Sequence, residues 1–161
     1  MLRISKLTDY GTMILVHLAA HPGRLHSASD VAGGTRLALP TVQKLLKLLA
    51  RGELVRSARG AEGGYELARL PQSISAADIL DVLEGPLSIT ECSTAESRCE
   101  LESGCPVGGA WQKINRGIRG ALDEITLADL AHPPREFPLV DLSGRGGRGR
   151  HRLPAGRGHE P

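Results

Sequence analysis

Aromatic side chains are nearly absent, only 2% of 161 residues, so a core has to be built from Leu, Val, Ile and Ala. No apolar run approaches the roughly 18 residues of a membrane-spanning helix, and MLRISKLTDY lacks the apolar stretch of a secretory signal. The sequence also lacks a phosphate-binding loop, an H-E-x-x-H element and any nucleophile–base pair, which argues against an enzyme. These absences predict a single cytoplasmic domain with appendages. Cysteine is scarce but not scattered. All three thiols fall within ECSTAESRCELESGC, as Cys92, Cys99 and Cys105. In a reducing compartment, such an odd cluster points to metal or redox chemistry rather than a disulfide frame.

Charge is distributed unevenly. The formal net charge is +2, but from Ser143 onward five arginines face only Glu160, so that tail carries +4 and residues 1–142 carry −2. Within that body, Arg36, Lys44, Lys47, Arg51, Arg56 and Arg59 stand against Glu53 alone, whereas Glu91, Glu96, Glu100 and Glu102 surround the cysteines against Arg98. A basic patch and an acidic thiol segment suggest two different partners.

Apolar periodicity predicts a first helix over about Ser5–His21, a short one opened by Ser27 and Asp30 as a capping box, and a third from Leu39 or Pro40 to Arg51. LVRSARGAEGGYELA reads as two short strands about a Gly-rich turn, and Ser75 with Asp78 opens a fourth helix. In the third helix, Val42, Leu45, Leu46 and Leu49 share one face and Pro40, Lys44, Lys47 and Arg51 the other. A lysine-bearing face is commonly just solvated. Here its place before a ribbon carrying Arg56 and Arg59 gives the layout of a winged helix-turn-helix: mainly α with a small β-wing. On that layout Thr41, Gln43 and Lys44 are the candidate groups for double-stranded operator DNA, with Lys47 on phosphate and Arg56 and Arg59 in the wing.

Three clustered thiolates make a metal or redox site, and a metal would need a further ligand: an iron–sulfur cluster, zinc, a thiol–disulfide switch and a purely structural role all remain open on spacing alone. Beyond the thiols, Trp111, Ile114, Ile118, Leu122 and Ile125 make a stripe on a helix interrupted by Gly117 and Gly120. The histidines carry little signal: His17 reads as core-edge, His21 as a helix end, and His26, His132, His151 and His159 as loop or tail. The expected division is a DNA-binding domain over 1–84, a cysteine segment over 85–106, a helix over 107–130 and a disordered Gly/Arg/Pro tail over 131–161.

LTDYGTMILVHLA, LPTVQKLLKLLARGELVRSARGAEGGYELA and the cysteine segment followed by a helix together resemble the Rrf2 family of winged-helix regulators, over roughly residues 1–130. The resemblance implies a homodimeric transcription factor, not membrane-bound, whose operator affinity follows the state of an iron–sulfur cluster, of 2Fe–2S or 4Fe–4S type, which leaves zinc as the leading rival and a thiol–disulfide switch after it. It makes the 107–130 helix the dimerisation element and offers cluster-assembly genes of the SUF system as one target. Cluster-assembly regulators of the family place a histidine three residues after the third cysteine; here that residue is Gly108, and six residues rather than five separate the first two thiols. Nitric-oxide-sensing members instead carry an aspartate near the start of the first helix, reaching the cluster of the opposite subunit, and this chain has Asp9 at that place. Asp9 also suits a helix's first turn for purely electrostatic reasons. Glu91 or an exogenous thiol would be the next candidate ligands. A non-regulatory iron–sulfur protein is the remaining alternative, although it has no use for a basic helix and wing.

Overall fold

The computed structural model describes residues 4–60, 63–88 and 106–132. Helix α1 (Lys6–Ala19) begins where the Ser5 hydroxyl accepts from the Thr8 amide. Helix α2 (Ala28–Thr35) opens with the expected Ser27/Asp30 capping box and ends at Arg36, whose φ of 58° is left-handed. Helix α3 (Leu39–Arg51) carries Pro40 in its first turn, where a missing N–H forfeits no helical bond. Strands β1 (Val55–Ala58) and β2 (Gly64–Leu67) pair antiparallel from Val55↔Leu67 to Ala58↔Gly64. After a 3-10 turn at Pro71–Ser73 come α4 (Ala76–Leu83), capped by Ser75 and Asp78, then α5 (Gly108–Asp123) and α6 (Leu127–Ala131).

The core is aliphatic, as the shortage of aromatics requires. Ile14, Leu15 and Leu18 of α1 meet Val31 of α2, the Val42, Leu45, Leu46 and Leu49 face of α3, and Leu54, Ile74 and Ile79, all fully or almost fully buried. Two glycines let helices approach: a Cβ on Gly11 would lie 2.6 Å from Leu83 Cδ1, and one on Gly52 would lie 2.4 Å from Val82 Cγ2.

The C-terminal region departs from the sequence reading. The expected single helix over 107–130 is two: α5 stops at Asp123, Ile125 lies outside it, and α6 turns back under its own Thr126/Asp129 capping box. Leu127 is fully buried in the core, and backbone bonds Ala76 N–H to Ile125 O (2.7 Å) and Leu127 N–H to Ile74 O (2.8 Å) tie α6 to the entry of α4. Thr126-x-x-Asp129 is the same signal that marked α2 and α4, so the break was readable. No helix among the described residues is long and apolar enough to cross a membrane.

Candidate nucleic-acid interface and thiol segment

Burying the Val42, Leu45, Leu46 and Leu49 stripe of α3 leaves its opposite face to solvent. Gln43, Lys44, Lys47 and Arg51 are exposed there, Thr41 is half-buried at the N-terminal turn, and together with Pro40 and Leu48 the four exposed residues line a shallow open groove. The face has cations to meet phosphates and an amide able to bond a base edge in two places, which is the chemistry of major-groove reading.

The wing is built on close backbone approaches that explain GGY. A Cβ on Gly63 would stand 2.4 Å from the Ala58 carbonyl oxygen, and one on Gly64 would stand 2.7 Å from the His26 oxygen. The gap at Gly64 is needed because His26 and Tyr65 exchange both backbone hydrogen bonds, at 3.0 and 2.8 Å, fastening the ribbon to the residue just before the α2 cap. His26, expected in a loop, is therefore 2% exposed. Arg59 is exposed at the end of β1, beside Gly60 with a φ of 120°. Arg56, grouped with it by sequence, sits opposite Glu66, and its Nε donates to Glu66 Oε1 at 3.0 Å. Strand register supplies that acidic partner, which offsets part of the Arg56 charge.

Asp9 occupies the first turn of α1 and is exposed. Next to it, buried Thr8 donates its hydroxyl to Glu84 Oε1, which also accepts from the Ser5 amide at 3.0 Å. Hydrogen bonds from Ser5 and Thr8 hold the Glu84 carboxyl below the usual carboxylate range. Sequence reading missed Glu84; no local pattern marks a contact 79 residues distant from Ser5. Cys92, Cys99, Cys105 and Glu91 lie outside the described residues, as does the tail from 133. The chain enters the cysteine segment just past α4 and returns into α5. Arg119 ties α5 to α4 by donating to Asp81 at 3.0 and 2.7 Å, and Asn115 Nδ2 donates at 3.2 Å to the carbonyl of Leu87, in the segment that follows α4. Of the apolar stripe on α5, Ile118 and Leu122 line a hollow with Leu80 and Leu87, while Trp111 and Ile114 are 40% and 46% exposed.

Three helices around an aliphatic core, a third helix with an exposed basic face and a two-stranded wing define a winged-helix DNA-binding regulator. A family model described as Rrf2, iron-dependent transcriptional regulator, matches residues 4–133, and the chain belongs to the Rrf2 family. It is 35% identical over 131 residues to the HTH-type transcriptional regulator CymR of Bacillus subtilis, covering 81% of this chain and 90% of that one. The solved structure of CymR, described as the global cysteine regulator of B. subtilis, superposes with a TM-score of 0.62 at 36% identity, over 81% of this chain and 97% of that one. IscR of T. potens gives a TM-score of 0.59 at 35% identity (80% and 85% covered). CymR of Staphylococcus aureus in an oxidized form gives 0.59 at 31% (84% and 100% covered).

Proposed function

We propose that this transcriptional regulator is a homodimer whose operator affinity responds to an iron–sulfur cluster held by Cys92, Cys99 and Cys105, with Asp9 reaching across the dimer as oxygen ligand, and that it represses its targets. The observation that carries the DNA-binding half is the exposed polar face of α3, set over a fully buried opposite face. For the cluster half, the donor set fits: three soft thiolates suit iron, and an exposed carboxylate supplies a harder ligand whose bond exchanges more readily. When bound, the cluster would supply a redox- and nitric-oxide-sensitive centre. The protein's own part is to transmit its state. Glu84 joins the start of α1, which carries Asp9, to the end of α4, from which the cysteine segment departs, and Arg119 joins α4 to α5. In this reading the division is 1–84 for DNA, 85–106 for the cluster and 107–130 for dimer contact, and the targets are cluster-assembly genes.

Within the interface, Gln43 reads a base and Lys47 anchors a phosphate, assisted by Thr41, Lys44, Arg56 and Arg59. Gln43→Ala then relaxes specificity at one base pair per half-site by roughly 1–3 kcal/mol. Lys47→Ala weakens all sequences alike and flattens the salt dependence. Identical behaviour of the two variants would refute the division.

A thiol-based reading is favoured by one finding, the similarity to a CymR solved in an oxidized form. Anaerobic purification with iron, sulfide and zinc quantification decides. Visible absorption with stoichiometric iron and sulfide supports the cluster, which Asp9→Ala should destabilise without dissolving the dimer. A colourless protein with stoichiometric zinc, or with a reversible Cys–Cys disulfide, overturns it.

A further inference from the structure

Three histidines that the DNA-binding reading does not use come together where α1, the α2 cap and the wing meet. The ring centroids of His17, His21 and His26 lie 5.1, 5.3 and 5.3 Å apart, a near-equilateral triangle. Three imidazoles meeting at a tetrahedral zinc with Zn–N of about 2.0–2.1 Å would place their centroids roughly 5.2 Å apart.

The state of the ring nitrogens points the same way. His17 Nε2 and His26 Nε2 are buried with no hydrogen-bond partner. Such orphaned buried groups are uncommon, and a bound metal ion is one partner that would satisfy them. The His21 Nδ1 lies 3.0 Å from the His17 carbonyl oxygen, which can only accept, so Nδ1 carries the proton and the Nε2 lone pair is left for a metal. Burial, and next the neighbouring histidines, hold His17 and His26 below the ordinary imidazole pKa, which favours the neutral, ligating form.

The cluster is also rigidly backed. A Cβ on Gly34 would lie 2.2 Å from His17 Cε1, so only a bare backbone admits that ring, and His26 is pinned by its bonds to Tyr65. His21 is exposed at the mouth, leaving room for water in a fourth position. Among the described residues no three His, Cys, Asp or Glu already form a group able to hold a metal ion. Ligation therefore requires the His17 and His26 rings to turn about their Cβ–Cγ bonds, a soft torsion for imidazole, while His21 keeps its Nδ1 bond to the His17 carbonyl.

We propose that His17, His21 and His26 form a second metal site, separate from the thiols, that takes a divalent transition-metal ion of the zinc type and ties α1 to the α2 cap and the wing. Its location gives it a means to stiffen the DNA-binding unit independently of the cysteine segment.

The test uses tag-free, full-length protein with Cys92, Cys99 and Cys105 replaced by serine, alongside wild-type protein with its thiols alkylated, so that the thiols cannot contribute. Each is titrated with Co2+, read by its visible d–d bands, and with Zn2+, read by displacement of Co2+ and by histidine 15N shifts. One equivalent of tetrahedral Co2+ is expected, displaced by Zn2+, with the 15N shifts confined to three histidines. His21→Ala, an exposed change that leaves the core intact, should weaken binding by roughly tenfold or more, and His17→Gln should abolish it. Absence of Co2+ bands in both thiol-free proteins overturns the proposal. So does binding unaffected by His21→Ala, which would assign the metal to His132, His151 or His159.

Discussion

Gly64→Ala tests the packing logic of the wing. The added Cβ would stand 2.7 Å from the His26 oxygen, 2.9 Å from its carbonyl carbon and 3.0 Å from its nitrogen, all of them backbone atoms that no side-chain rotation can move away. Relief requires parting the His26–Tyr65 bridge and both of its hydrogen bonds. Two such bonds contribute about 1 kcal/mol each, and overpacking at a tight site costs typically 1–3 kcal/mol. A loss of about 2–4 kcal/mol is expected, seen in urea denaturation as a midpoint lower by roughly 1–2 M at unchanged slope. The same substitution at Gly33, inside α2 with nothing within 4 Å of a Cβ, should raise stability by roughly 0.5–1 kcal/mol. Opposite signs support the account. A Gly64→Ala loss below about 0.5 kcal/mol would mean that His26 and Tyr65 are not held together as described.

Other expectations follow from particular residues. Glu53 has a φ of 57° in the turn between α3 and β1, so Glu53→Gly should stabilise by roughly 0.5–1 kcal/mol in thermal unfolding; a loss would refute the strain. On α5, nothing lies within 4 Å of a Cβ at Gly117 or Gly120 in the single chain. Alanine there should add about 1 kcal/mol per site to the helix while weakening association in sedimentation experiments, if the second subunit packs on these glycines. Stabilisation with unchanged association would put the dimer interface elsewhere. Asp30, Asp129 and Glu84 are each held below the usual carboxylate range, in every case chiefly by side-chain hydroxyl hydrogen bonds: from Ser27, from Thr126, and from Ser5 and Thr8. Depressed folded-state values mean that their stabilisation is complete above the unfolded carboxylate range, near pH 4, and lost as pH falls through the lower folded values. Acid titration by circular dichroism should show that loss, shallower in Asp129→Asn; an identical slope would refute the contribution of the cap.

Much of the fold was legible because its signals are local. Capping boxes at Ser27 and Ser75, the Pro40 start and the period of Leu45, Leu46 and Leu49 each depend on residues within two turns of one another. What escaped was set by tertiary partners. Arg56 looked like a free cation until strand register placed Glu66 opposite it. His26 looked like a loop residue until Gly64 let the ribbon close over it. Glu84 joined the account through contacts reaching back to Ser5 and Thr8, far across the sequence. The α6 break is a different case: the apolar stripe of α5 runs on to Ile125 in sequence, yet Thr126 and Asp129 already announce a new helix.

Whether cluster state sets DNA affinity is decided by one anaerobic comparison. Operator DNA is first recovered by footprinting the protein on its own gene neighbourhood. Fluorescence anisotropy at fixed salt then measures its binding to cluster-loaded protein, to the same protein after removal of the cluster, and to the Cys99→Ser variant. Loaded and cluster-free protein should differ by roughly tenfold or more in Kd, within the usual range of allosteric coupling, and Cys99→Ser should behave as cluster-free. Equal affinity of all three forms would contradict that dependence.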